Sequence, residues 1–412
     1  MDDQRTSSLP QQAFLPGEAR RVAFAFATFF LLLCSYYILR PVRDEMAVRF
    51  GADKLQWLFS ATFAFTLLVV PLFGSVVRAL RRDRVLPLVY GFLVLNLLLF
   101  QAAFAAGAGA TAAAVFFVWL SVFNLFVVSL FWSRMGDCFS TAESHRLYGY
   151  IAAGGTCGAL AGPAATAVLA RHLETAHLMG ISAFLLLISI ACVLAVPRTG
   201  SGTAERPAGG SILAGIPLVM KRPDLHRIAL LVLCYTTVST VLYIEMVRLV
   251  GLEFASSGER TSFFARVDLA VNTGALVLQL LGTRKLVGRF GLRIALPLVP
   301  AILAAASGLL GAWRGLAGVA AMQVVHRAGE YAVGKPGREM IYTTLDAESR
   351  YKAKNFIDTA VYRAGDAGSA WVISGLRGLG LDAFLFAALP AALLWAVTAY
   401  SLGDRHDRHQ ST

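Results

Sequence analysis

The sequence predicts an all-α polytopic membrane protein whose twelve transmembrane helices form two six-helix halves. Of the 412 residues, 57% are hydrophobic and only 15% are charged, whereas soluble domains carry about a quarter charged residues. Apolar runs of about 20 residues, the length that crosses a bilayer core, recur from Val22 to Leu402. A soluble globular protein is therefore excluded.

Apolar windows between helix-breaking residues mark the twelve spans. They lie near 22–41, 56–80, 84–105, 112–135, 145–170, 176–196, 226–250, 262–284, 290–313, 315–334, 353–376 and 379–402. The first run follows Arg20 and Arg21 but is longer than a signal-peptide core and has no small-residue cleavage site, so we interpret it as a retained helix.

The net charge of +12 reports topology rather than a nucleic-acid partner. With a cytoplasmic N-terminus, 25 of the 37 Lys and Arg residues fall on the cytoplasmic side and nine on the outer side. This asymmetry follows the positive-inside rule. We expect a multi-pass protein of the bacterial inner membrane with both termini in the cytoplasm; the sequence names no protein partner.

The longest polar gap divides six spans from six. Residues 197–225 are rich in Gly, Ser and Pro, which is typical of a flexible linker, and they separate a half at 1–196 from a half at 226–412. Short segments recur at similar offsets: Glu45-Met46 as Glu245-Met246, and Ala142-Glu143-Ser144 as Ala347-Glu348-Ser349. Two six-helix halves describe the major facilitator architecture, in which substrate binds between the halves near the midplane.

Ionisable residues within the spans are the strongest functional signal, because each costs at least about 2.5–3.5 kcal/mol at bilayer depth. Helical spacing predicts pairs between His326 and Glu330, Arg327 and Glu330, and Arg363 and Asp366. These pairs either clamp helices together or line a central cavity that neutralises an anionic substrate. Arg40, Arg43 and Asp44 close the first span, where an interfacial cap is an equal interpretation for Arg40 and Asp44.

Other motifs carry no chemistry. Gly154, Gly158 and Gly162 form a small face that favours close helix packing; a surface that moves in alternating access is one version of this interpretation, and a phosphate cradle is the lesser alternative. A stretch resembling a P-loop has Pro336 where Ser or Thr would hold magnesium. The sequence has no catalytic motif, metal-ligand spacing or cofactor motif, so we expect no enzyme activity and no cofactor. His406 and His409 lie in a polar tail that we expect to be solvated.

The segment from Gly334 through Gly368 (GKPGREMIYTTLDAESRYKAKNFIDTAVYRAGDAG) resembles the ATP/ADP antiporter family of plastids and intracellular bacteria. The stretch Tyr37–Asp44 is similar to the first-helix exit of that family, and Glu143 and Glu245 fall on positions similar to its own. The resemblance implies nucleotide exchange and nominates Arg43, Glu143, Glu245 and Lys352 or Lys354 for nucleotide binding. One departure is Asp366, where the family commonly has Lys; this change should weaken the binding of ATP.

The two lines of reasoning give one candidate site for a small anionic substrate, a nucleotide in the leading hypothesis. The predicted substrate-binding residues are Arg43, Glu143, Glu245, Arg266, Arg327, Lys352, Lys354 and Arg363. The predicted charge partners are Asp268, Glu330, Asp358 and Asp366.

We expect exchange of nucleotides, ATP against ADP, by alternating access. The alternatives are a major facilitator transporter of another organic anion, with proton coupling through Glu330, Asp358 or Asp366, and a membrane scaffold without transport. The cost of the intramembrane charges argues against the scaffold.

Overall fold

The computed structural model describes residues 17–80, 82–197, 215–310, 315–343 and 352–411. All regular structure in these ranges is helical. The first six helices are α1 (Glu18–Phe50), α2 (Leu55–Ala79), α3 (Arg82–Ala105), α4 (Ala110–Cys138), α5 (Thr141–Leu169) and α6 (Thr175–Leu194).

From residue 215 onward, the described residues form eight α-helices of six residues or more and a short helical stretch at 352–355, joined in places by π-helical turns. The helices are α7 (Ile216–Lys221), α8 (Pro223–Glu253), α9 (Ser257–Val277), α10 (Arg284–Leu310), α11 (Leu316–Gly329), α12 (Lys335–Tyr342), α13 (Tyr362–Gly378) and α14 (Leu389–Ser411). The π turns are Leu278–Thr283, Glu330–Gly334, Phe356–Val361 and Phe384–Ala388.

These helices confirm the all-α membrane fold. By length and hydropathy, nine helical segments of the described residues are long and apolar enough to span a membrane. One of them, Ser257–Leu309, has 53 residues, about 80 Å at 1.5 Å per residue, which is two crossings. It bends at Gly291, where φ is +70°. The segments 316–342 and 352–378 carry the charges of the tenth and eleventh predicted spans.

Ser257–Leu309 counts as two crossings, and the segments 316–342 and 352–378 add two more, which gives twelve crossings for the described residues. Both ends of the described chain therefore fall on one face of the bundle, which we call the terminal face. The opposite face, the distal face, carries the α1–α2, α5–α6 and α8–α9 connections.

Helix α1 corrects one sequence prediction. It continues through Pro41 to Phe50, so Arg40, Arg43 and Asp44 lie inside the helix rather than closing it. Asp44 is 4% exposed and is not an interfacial cap. Tertiary packing against α4, α5 and α6 overrides the local cost of proline.

Two large apolar cores hold the bundle, beside a small cluster of Ala295, Ala332 and Val333. One joins buried residues between Val22 and Val196, and the other joins residues between Val219 and Leu402 with a few from α1, α2 and α4. Helix α1 contacts α4, α5 and α6, while α8 contacts α11, α13 and α14 in the same relative order. The division at 197–225 stays a prediction, and residues 198–214 lie outside the described residues, as does the repeated segment Ala347-Glu348-Ser349.

The glycine face of α5 packs against α1 of the same half. A Cβ atom at Gly154, Gly158 or Gly162 would lie 2.5, 2.3 or 2.8 Å from a backbone oxygen of α1. Only glycine permits so close an approach. The structure therefore assigns this face to packing within the first six helices.

The C-terminal tail is helical rather than simply solvated. Helix α14 reaches Ser411, and His406 is buried. The Asp407 carboxylate accepts hydrogen bonds from the backbone N–H groups of Leu292 and Arg293, at 3.2 and 2.9 Å. It thus caps the part of α10 that follows the bend at Gly291.

Candidate functional site

A polar cavity of about 250 Å³ lies between the first six and the last six spans. Its walls come from α1, α2 and α4 on one side and from α8, α11, α13 and the π turn after α11 on the other. Its principal polar and aromatic residues are Tyr36, Tyr37, Arg40, Arg43, Ser121, Asn124, Tyr235, Thr240, Tyr243, Gln323, Arg327, Tyr331, Tyr362, Arg363 and Asp366.

The first charged cluster joins the two halves through Asp268 of α9. This carboxylate is 1% exposed and accepts a hydrogen bond of 2.7 Å from Nη1 of Arg327. Nη1 of Arg40, from α1, lies 3.5 Å from the same oxygen. One buried carboxylate therefore holds two arginines, one from each half, in a region where an unpaired charge would be costly.

The second cluster lies one turn further along α1. Nη2 of Arg43 donates to Oδ1 of Asp44 at 2.6 Å, and the hydroxyl of Tyr243 in α8 donates to the same atom at 3.0 Å. The Arg43 guanidinium also lies 5.1 Å from the ring centroid of Phe117, within the range of a cation–π contact. Arg43 is thus held at the cavity wall by Asp44 and Phe117 of the first six helices, and Tyr243 of α8 contacts the pair through Asp44.

The third cluster confirms the predicted pair in α13. Nη1 of Arg363 lies 3.5 Å from Oδ2 of Asp366, and Nη2 donates to the backbone oxygen of Ser121 in α4 at 3.0 Å. Thr240 donates to Asp366 at 3.5 Å. These distances are long for charge-assisted hydrogen bonds, so this carboxylate is weakly held compared with Asp44 and Asp268.

Six of the twelve tyrosines in the chain line this cavity, and the sequence analysis did not select them. A signal was present in α1, where Tyr36, Arg40 and Arg43 recur at i, i+4 and i+7 and so share one helix face. Elsewhere the tyrosines are spread over α8, α13 and the π turn after α11, and only the fold brings them together. Their rings provide flat surfaces for an aromatic group.

Buried polar atoms without a hydrogen-bond partner also lie in the cavity wall. Among the described residues, Oδ1 of Asn124, Oε1 of Gln323 and Nε of Arg327 are buried without a hydrogen-bond partner. Buried polar atoms are normally paired. Their positions in the cavity wall suit a ligand or water that would complete their hydrogen bonds.

Of the twelve predicted residues, Arg43, Arg327, Arg363 and Asp366 line the cavity and Asp268 lies directly behind it. Glu330 does not: it pairs with Arg338 at 2.6 Å, so the predicted pair of Arg327 with Glu330 is wrong. The pair of His326 with Glu330 is also wrong, because the His326 ring stacks on Tyr235 at a centroid distance of 4.7 Å. Partners from other helices displaced the local ones that helical spacing suggested.

The remaining predicted residues lie away from the cavity. Glu143 caps α5 and pairs with Arg21 at 2.8 Å near the terminal face. Lys354 pairs with Glu339 at 2.6 Å, and Lys352 lies two residues before it. Glu245 is held by Arg248 and Arg377 near the distal face, at 2.5 and 2.9 Å.

Arg266 and Asp358 have exposed side chains and do not line the cavity either. The roles of these outlying residues in binding stay predictions. Leu345 and Asp346 of the family-like segment lie outside the described residues.

On the distal side of the cavity the two halves are closed against each other. Arg49 donates to Ser257 at 2.8 Å, and Ser262 donates to the backbone oxygen of Ala167 at 2.6 Å. A Cβ atom on Gly258 would lie 2.3 Å from the backbone oxygen of Ala170. The contact between α5 and α9 therefore works as a tight seal in this conformation.

Within the described residues, no group of three or more His, Cys, Asp or Glu side chains is placed to hold a metal ion. The cavity supplies charge, hydrogen bonds and aromatic surface. This inventory suits recognition of an organic anion.

Comparison with solved structures places the chain in the major facilitator fold. It is similar to the nucleoside transporter NupG, with a TM-score of 0.65 at 12% identity over 96% of this chain and 99% of that one. It is also similar to the transporter PepTSo of the POT family, with a TM-score of 0.64 at 12% identity over 95% of this chain and 98% of that one. For the human organic anion transporter MFSD10, the TM-score is 0.52 at 17% identity over 94% of this chain and 100% of that one.

No protein-family model matches the chain, and no curated protein sequence matches it. The structural similarity therefore establishes the all-α, multi-pass transporter fold. At these identities it does not extend to substrate or mechanism.

Proposed function

We propose that this protein is a secondary transporter that exchanges nucleotides across the membrane, in the manner of ATP/ADP-type antiport. The observation that carries the proposal is the cavity itself, where four arginines contributed by both halves stand beside six tyrosines. Guanidinium groups bind phosphate bidentately and keep their charge when desolvated, and tyrosine rings accommodate a nucleobase.

The same arrangement supports alternating access. The arginine clusters lie between the halves, and the contact between α5 and α9 closes the distal side. We propose that the terminal face is cytoplasmic, as the distribution of Lys and Arg indicates, and that the halves rock about the cavity. Counter-exchange of this kind requires neither hydrolysis nor a cofactor.

The experiment is counter-exchange in proteoliposomes. Purified protein is reconstituted with internal nucleotide, and uptake of labelled external nucleotide is followed. We expect uptake to depend on the internal nucleotide and to fall at least about tenfold in empty liposomes. Uptake that ignores the internal nucleotide would contradict exchange.

A second candidate, proton-coupled transport of another organic anion, is favoured by one observation. Asp366 lines the cavity and is held only at 3.5 Å by Arg363 and Thr240, so it can change partners. In this case a pH gradient would drive uptake in liposomes without internal substrate, and Asp366→Asn would abolish the response. Uptake that is insensitive to a pH gradient would remove this candidate.

A further inference from the structure

The charges around the cavity nearly cancel. Four guanidinium groups, those of Arg40, Arg43, Arg327 and Arg363, face three carboxylates. The carboxylates are Asp44, Asp268 and Asp366, each within 3.5 Å of an arginine nitrogen. One positive charge is left uncompensated. A substrate with a single anionic group comes closest to balancing this charge, because a carboxylate carries one negative charge and a phosphate monoester about 1.5 to 2 at pH 7.

The surplus charge has a definite location. Arg43 and Arg363 each have a carboxylate of their own, whereas Arg40 and Arg327 share Asp268. Nε and Nη2 of Arg327 are buried and have no hydrogen-bond partner among the described residues. An incoming anion therefore finds unfilled donors on Arg327, next to the Arg40 guanidinium that shares the Asp268 carboxylate.

We propose that the cavity selects an aromatic anion with one phosphate or carboxylate group, bound between Arg40 and Arg327. Among nucleotides this substrate is a nucleoside monophosphate, so the proposal rests on the proposed function and specifies its substrate. Asp268 acts as an internal counter-ion. It holds the two arginines in the empty carrier and releases part of this contact when the substrate binds.

The volume of the cavity and the charges around it favour the same substrate. The volume of about 250 Å³ is below the roughly 300–1,000 Å³ typical of sites for drug-sized ligands, which suits a short phosphate chain. Each additional phosphate adds negative charge beside Asp44, Asp268 and Asp366. Because like charges a few ångströms apart repel strongly in a partly desolvated site, each should weaken binding by about tenfold or more.

The test uses two series of ligands with increasing charge and purified full-length protein. The first is adenosine, AMP, ADP and ATP, and the second is benzoate, phthalate and benzene-1,3,5-tricarboxylate. Affinity is measured from ligand-induced thermal stabilisation, which follows mass action. We expect AMP to bind at least about tenfold more tightly than both adenosine and ATP, and benzoate more tightly than the tricarboxylate.

Variants move the charge balance directly. Asp268→Asn and Asp366→Asn each add one positive charge, so the ratio of ADP to AMP affinity should rise about tenfold in both. Asp224→Asn makes the same change at an exposed position beside Arg227 and Arg405 and should leave the ratio unchanged. Two variants keep the test decisive if one of them fails to fold.

The outcomes separate the two proposals. Tighter binding of ATP than of AMP, or an unchanged ratio in both cavity variants, would overturn charge selection while nucleotide transport stands. If no nucleotide binds but benzoate binds more tightly than the tricarboxylate, nucleotide exchange fails and charge selection holds. If neither series binds, both fail.

Discussion

At the scale of single residues, Arg327 is the most deeply buried of the four arginines that line the cavity. It is 6% exposed, and its partner Asp268 is 1% exposed. We expect Arg327→Gln to lower uptake by at least about tenfold and to destabilise the fold, since removing one member of a buried pair costs about 3–5 kcal/mol. Uptake by reconstituted protein and thermal unfolding in detergent measure both effects.

The variant Arg40→Gln separates an effect on binding from an effect on folding. Arg40 lies 3.5 Å from Asp268, and after its removal Asp268 still has its closer partner, Arg327. The variant should lose uptake with a smaller loss of stability. Arg284→Gln, at an exposed position, is the matched control. Normal uptake by folded Arg40→Gln would contradict the assignment of the cavity.

Asp407 allows a prediction that concerns stability alone. Because its carboxylate caps two backbone N–H groups after Gly291, Asp407→Ala should cost about 1 kcal/mol. Asp404, whose partners Arg293 and Arg408 are exposed, is the control, and Asp404→Ala should cost less than about 1 kcal/mol. Thermal unfolding of the two variants measures both losses of stability. Equal losses would argue against the helix cap at Asp407.

At this scale, the sequence predicted which charged residues matter more reliably than it predicted which residues they pair with. The i,i+3 pair of Arg363 and Asp366 is present because both residues belong to one helix. Asp268 and Arg327 are 59 residues apart, and no local spacing indicates such a pair. His326 stacks on Tyr235 of α8, which is also far away in the sequence, and Glu330 pairs with Arg338, eight residues on and beyond the i,i+4 spacing.

At the scale of helices, Gly158 and Gly258 make equally close contacts with different expected consequences. A Cβ atom on Gly158 meets the backbone oxygen of Phe30 within the first half, whereas one on Gly258 meets Ala170 across the halves. Gly158→Ala should therefore lower thermal stability. Gly258→Ala should leave each half folded but prevent closure of the distal face, which reduces transport.

Gly149 is the matched control for both, because nothing lies within 4 Å of its added Cβ atom. Stability is followed by thermal unfolding and transport by uptake in proteoliposomes. Full transport by Gly258→Ala would show that the contact between α5 and α9 is not a gate. An unchanged unfolding temperature for Gly158→Ala would contradict its role in packing.

The positions of the helices were predictable because apolar length is a direct physical requirement of the bilayer. The π-helical turns that interrupt these helices were not predictable from the sequence. The π turns Leu278–Thr283 and Glu330–Gly334 contact each other through side chains, with Gln279 donating to the backbone oxygen of Tyr331 at 3.0 Å and Thr283 to that of Ala332 at 2.9 Å. Such turns depend on neighbouring helices and leave no pattern in the local sequence.

At the scale of the whole molecule, the similarity between the two sets of six spans appears in the packing more clearly than in the sequence. Helix α1 packs on α4, α5 and α6 as α8 packs on α11, α13 and α14. The glutamates that recur 200 residues apart, Glu45 and Glu245, both lie near the distal face and pair with arginines. Their arginine partners lie within the same half as each glutamate, and neither glutamate lines the cavity.

A cross-link on the distal face tests the rocking of the halves. The hydroxyl oxygens of Thr175 in α6 and Ser257 in α9 are 3.5 Å apart, so cysteines at both positions are within reach of a disulfide. The double variant Thr175→Cys, Ser257→Cys, made with Cys157→Ser to remove the exposed native thiol, should lose transport on oxidation and regain it on reduction. Substrate should still stabilise the oxidised protein in detergent, because the cavity stays intact while the distal side is held closed. Each single cysteine variant under the same treatment is the control. Transport that continues in fully cross-linked protein would contradict alternating access through the distal face.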